Sequence, residues 1–201
     1  MFACFLSFNT ASTRRMIADP LETTVPIDSL VASLLPGSYF HDAWEIKSNA
    51  VDLSALGHFL GVVEHTPRWV NLYMILRNRI VSLLGLKNLG QLSTLGQEKL
   101  ASAYRPGDRV GIFTLFENTV DEALLGDKDK HLNVFLSVHR RLVGANEILV
   151  TVTTIVHVHN ALGRIYMVPV KPMHRLIVRA VLSAFVRAQN KRTISPLSGL
   201  P

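Results

Sequence analysis

The sequence predicts an α+β domain: a curved antiparallel sheet wrapped on a long C-terminal helix, with two helices inserted after the first strand. Three observations lead there. Segments alternating with a period of two, dense in Val, Ile and Thr, cluster between Arg109 and His159. Segments with apolar residues at helical spacing lie ahead of that block, and one long apolar segment follows it. Runs of strands kept apart from runs of helices mark α+β rather than alternating architecture.

A chain of 201 residues with 48% hydrophobic and 18% charged residues can bury one domain-sized core and is not a disordered polymer. The lone cysteine, Cys4, excludes a disulfide scaffold and a thiolate metal cluster, and it places the protein in a reducing compartment, the cytoplasm. No stretch reaches the ~20 apolar residues a spanning helix needs.

Residues 1–24 read as a disordered leader, with Met16 as a candidate true start. The run Phe2–Phe8 has no basic residue before it and no small-residue cleavage site after it, so it is no secretory signal. The domain spans 25–189. Asp28 caps a short helix through Leu35, which Pro36-Gly37 ends. Ser38–Ser48 is a first strand. Asp52 caps a helix through Val63, and Thr66-Pro67 opens another. There Trp69, Leu72, Tyr73, Leu76, Ile80 and Leu83 form a stripe expected to pack on the core, Arg77 and Arg79 point elsewhere, and Gly85 is the stop.

Residues 87–107 read as loop, and Arg109–Asn118 as strand. Gly126–His131 reads as a charged turn. Leu132–Val143 and Ile148–His159 form an antiparallel hairpin across Gly144-Ala145-Asn146. A helix starts at Pro172, where a missing N–H costs nothing, and runs to Ala188. Residues 190–201 are a frayed, disordered tail.

The net charge of +6 is unevenly placed. Glu147 is the last acidic residue. Seven basic residues follow it, leaving 14 basic against 15 acidic residues before. Such a block can attract anions, although a solvated helix face is its commoner role. No motif for specific nucleic-acid binding is present.

Alternation puts Val150, Val152, Val156 and Val158 on one face of their strand and Thr151, Thr153, His157 and His159 on the other. The neighbouring strand offers His131, Ser137 and His139 on its polar face. Imidazoles can bind metal or transfer protons. Ligand-spaced carboxylates and thiolates are missing, so no metal is assigned. Asp127 and Asp129 lack the remaining positions of a calcium loop. No phosphate loop, dinucleotide fingerprint, nucleophile elbow or zinc-protease helix occurs. No cofactor is implied.

The segment HVHNALGRIYMVPVKPMHRLIV, with Glu122–Gly126 before Asp127, the Asp129–Leu132 step and Leu76-Arg77-Asn78 before Gly85-Leu86, resembles the family called domain of unknown function 2867. The resemblance covers roughly Val25 to Ala188. Met173 stands where the family would have Phe. It implies a START-like, birch-allergen-like helix-grip fold, and relatives in which this domain follows an NAD(P)-binding Rossmann domain, which is not found here. It implies no reaction.

The expected function is therefore that of a helix-grip domain binding a small hydrophobic or amphiphilic molecule between sheet and last helix. His157, His159, Asn160, Arg164, Tyr166 and His174 are the polar pocket groups. One alternative is an acid/base enzyme, favoured by His157 or His174 within reach of Tyr166. The other is an interaction module docking an oxidoreductase partner through the basic C-terminal helix.

Overall fold

The computed structural model describes residues 19–83 and 99–194. Most of the expected leader, Met16, the stop at Gly85, the first part of the expected loop and the last residues of the tail lie outside the described residues. Seven strands form one open, curved antiparallel sheet, ordered β1-β2-β7-β6-β5-β4-β3. They are β1 (Leu21–Thr23), β2 (Phe40–Ser48), β3 (Arg109–Val110), β4 (Phe113–Asn118), β5 (Glu122–Lys128), β6 (Leu132–Gly144) and β7 (Glu147–Val158). The helices are α1 (Ala55–Glu64), α2 (Arg68–Leu83) and α3 (Ala161–Ile194).

The expected hairpin is the backbone of this sheet. Leu132 pairs with Val158 and Arg141 with Leu149, so apolar residues of both strands share one face. That face holds the main core, where Trp44, Ile46, Leu125, Val138 and Val150 meet Leu56 and Phe59 of α1 and Leu182 and Phe185 of α3. Gly61 lets the two helices approach, because a methyl there would sit 2.6 Å from the Phe185 ring. The opposite face carries a small second cluster, in which Val31 packs on Phe135 and Ile155.

Several boundaries differ from expectation for local reasons. Leu21–Thr23, inside the expected leader, add an edge strand to β2. The helix expected after Asp28 is a 3-10 turn, Leu30–Leu34, capped by Ser29, which is buried while Asp28 is exposed. Likewise Ser54 caps α1, in place of Asp52, by accepting from the Gly57 N–H. The expected strand 109–118 is split at Gly111, whose φ of 61° turns the chain. Gly126 and Asp127 belong to β5, so the charged turn is shorter than expected.

The largest correction concerns α3, which starts at Ala161 rather than Pro172 and contains both Pro169 and Pro172. Each proline frees the carbonyl four residues back. Those carbonyls belong to Ile165 and Val168, two exposed residues, so water can satisfy them. Among the described residues no helix is long and apolar enough to cross a membrane.

Candidate functional site

Sheet and α3 do not close on each other completely. A hollow of about 250 Å³ remains between them, bounded also by α1 and α2. Its floor is the alternating face of β6 and β7, represented by Val134, Leu136, Val152 and Val156. Its roof is the α3 stripe Met167, Val170, Ile177 and Val181. These residues recur every three or four positions on the helix and every two on the strands, so regular geometry makes the wall apolar.

Two of the polar groups in this wall stand about two helical turns apart on α3. At Tyr166 the phenol oxygen accepts from Arg77 Nε at 2.9 Å and Nη2 at 2.6 Å. Arg77 comes from α2, whose Tyr73 and Met74 line the same wall. Burial, and secondly the neighbouring Tyr166, push the Tyr73 phenol above its ordinary value, while Arg77 pulls the other way. The second is His174, whose Nε2 lies 3.2 Å from Asp42 Oδ1. The Asp42 side chain is wholly buried, and its other oxygen accepts from the Trp44 indole N–H at 3.1 Å. Phe40 meets the His174 ring edge-on at 5.6 Å between centroids. An imidazole so fixed can exchange a proton through its remaining nitrogen.

His58 also touches the hollow, from α1. Its Nδ1 lies 2.9 Å from the Ser54 carbonyl and its Nε2 3.2 Å from Ser48 Oγ. The carbonyl requires Nδ1–H, which leaves Nε2 to accept from the serine. Burial lowers its pKa, the Ser54 carbonyl opposes that, and Arg140 lowers it further.

Of the six expected pocket residues, Tyr166 and His174 line the hollow. They are not within reach of each other: Tyr166 is engaged by Arg77 and His174 by Asp42. His157 faces the other side of the sheet, where Nε2 meets the Leu34 carbonyl at 2.9 Å and the ring packs edge-on against Phe135. His159 and Arg164 are exposed. Asn160 caps α3, accepting from the Gly163 N–H at 3.1 Å and donating to the Lys130 carbonyl at 3.2 Å.

Arg77, Tyr73 and Asp42 were missed. The α2 stripe was expected to face the core, yet Trp69, Leu72 and Leu76 are exposed and Tyr73, Met74 and Arg77 face the hollow. The available signal was Tyr73 and Arg77 at four-residue spacing, a polar pair within an apolar helix. For Asp42 the signal was a carboxylate alternating in register with Phe40 and Trp44.

A sheet folded over a helix around a partly polar hollow defines the structural class. Within it, the chain belongs to the family described as Protein of unknown function (DUF2867), whose model matches residues 34–181. No curated protein and no solved structure matches it.

Proposed function

We propose that the protein binds a small, largely apolar molecule in the hollow between the sheet and α3. The single observation behind this reading is the unfilled 250 Å³ lined mainly by apolar side chains, with Arg77, Tyr166 and His174 among its few polar groups. Cores normally fill to crystal-like density, so a void this size removes packing contacts. It exceeds the ~150 Å³ apolar cavity that accommodates benzene. It falls just below the ~300–1,000 Å³ usual for ligand pockets. The occupant is accordingly small, of one or two rings or a medium alkyl chain. The reading agrees with the helix-grip affiliation that the resemblance implies.

Thermal-shift screening against short fatty acids, aromatics and their alcohols should yield a stabilising class. Val152→Phe, which fills the floor, should keep the fold and weaken that class at least about tenfold. Equal stabilisation of both proteins, or of neither, defeats the proposal.

The Asp42–His174 pair favours a second reading, in which His174 acts as general base or acid on the bound molecule and Asp42 fixes its ring. A turnover that survives His174→Gln unchanged rejects that reading.

A further inference from the structure

We infer that the hollow takes a small carboxylic acid whose carboxylate is held by Arg77 and Tyr166, with its apolar body along the valine floor. The inference rests on the ligand-binding reading and assigns the polar end of the molecule.

A guanidinium has five N–H groups. Arg77 spends Nε–H and one Nη2–H on the Tyr166 oxygen, at 2.9 and 2.6 Å, and one Nη1–H on Asn78 Oδ1, at 2.8 Å. Two donors are left over. Because the phenol oxygen receives both of its bonds from a cation, its lone pairs are filled and its own O–H remains to be donated. No hydrogen bond from that O–H to an acceptor is found among the described residues.

The charge is equally incomplete. Among the described residues no carboxylate lies within ion-pair distance of Arg77, although it is half-buried. Asp127, the one carboxylate on the wall of the hollow among the described residues, pairs with Arg109 at 3.5 Å. Tyr73, one turn before Arg77, adds a phenol that keeps its proton because burial and Tyr166 raise its pKa.

The place thus offers a positive charge and an excess of donors, with the neutral Tyr73 phenol oxygen as the one uncharged acceptor beside them. Its complement carries acceptors only and a negative charge. A carboxylate meets both conditions and can take parallel bonds from a guanidinium. An alcohol leaves the guanidinium charge unmatched, and an ammonium group meets a like charge.

The test compares octanoate with octanol and octylamine, and naphthoate with naphthalenemethanol, by calorimetry on the full chain, its Arg77→Gln and its Tyr166→Phe variants. Each acid should bind the wild type at least about tenfold more tightly than its alcohol. Arg77→Gln should bring acid and alcohol within about threefold while leaving the alcohol nearly unchanged, and Tyr166→Phe should remove part of the preference. Unaltered melting temperatures show that the variants fold.

Equal affinity of acid and alcohol for the wild type, or a preference that survives Arg77→Gln, overturns the inference and leaves the hollow as a neutral-ligand site. Tightest binding by octylamine overturns it through the sign of the charge. If none of the five compounds binds, the ligand-binding reading falls and this one with it.

Discussion

Polar residues stand on both sides of the sheet, and the two groups live in different states. On the face that holds Val31, the Glu122 carboxyl accepts from Ser29 Oγ at 2.5 Å, Ser137 Oγ at 2.6 Å and the Leu30 N–H at 2.9 Å. At the other end of the 3-10 turn, His157 meets the Leu34 carbonyl. Together they clamp the 3-10 turn onto the strands. On the face toward α3, Arg77 and Tyr166 satisfy each other and still hold donors in reserve. A polar group fully engaged by its own chain serves stability. One with bonding capacity left over at a cavity wall is available to a ligand.

Substitutions on each face sharpen that contrast. Glu122→Ala should be the most damaging, leaving two hydroxyls and an N–H without their acceptor in a buried site. A loss of about 3–4 kcal/mol is expected in denaturant melts. A loss under ~1 kcal/mol would show that water reaches this cluster. Asp42→Ala strands the Trp44 indole N–H and the His174 ring, and about 2–3 kcal/mol should disappear. Unlike Glu122→Ala, it should also change ligand affinity, because His174 lines the hollow.

His157→Leu removes one bond to the 3-10 turn and should cost about 1 kcal/mol, with ligand affinity untouched. Altered affinity in that variant would break the division between the faces.

His58 supplies a pH-dependent contrast. Its folded pKa is depressed below the ordinary 6.5, so on acidification the unfolded chain takes up the proton first. Its contribution to stability is therefore present above pH ~6.5 and falls away as the pH drops toward the folded pKa. Melts at stepped pH should show a shallower acid limb in His58→Gln than in the wild type. Arg77→Gln should have a small effect on stability, about 0.5–1 kcal/mol, since it removes the bonds to Tyr166 from a side chain that is only half-buried and has no ion-pair partner among the described residues.

Local signals told much of the fold. The β6–β7 hairpin was readable because both strands alternate and a short Gly-Ala-Asn connection joins them. Val134, Val152 and Val156 were assigned to one face by period alone. Where two signals competed, local reading failed. At α3, proline chemistry placed the start at Pro172, while burial of Met167 at the roof of the hollow accompanies a helix that begins at Ala161. At α2 the apolar stripe pointed inward as a whole, but only its Tyr73 reaches the hollow, beside Met74 and Arg77, while Trp69, Leu72 and Leu76 are exposed.

By itself the sequence determined the hairpin of β6 and β7, the helical character of α1, α2 and the later part of α3, and the faces of the hairpin residues, because these follow from backbone periods that short segments carry within themselves. Tertiary structure alone decided that His157 and Tyr166 lie on opposite sides of the sheet, that Arg77 meets Tyr166 and that Asp42 meets His174. Those pairings join residues far apart in the chain, and only the packing of α2 and α3 over the curved strands brings them within bonding distance.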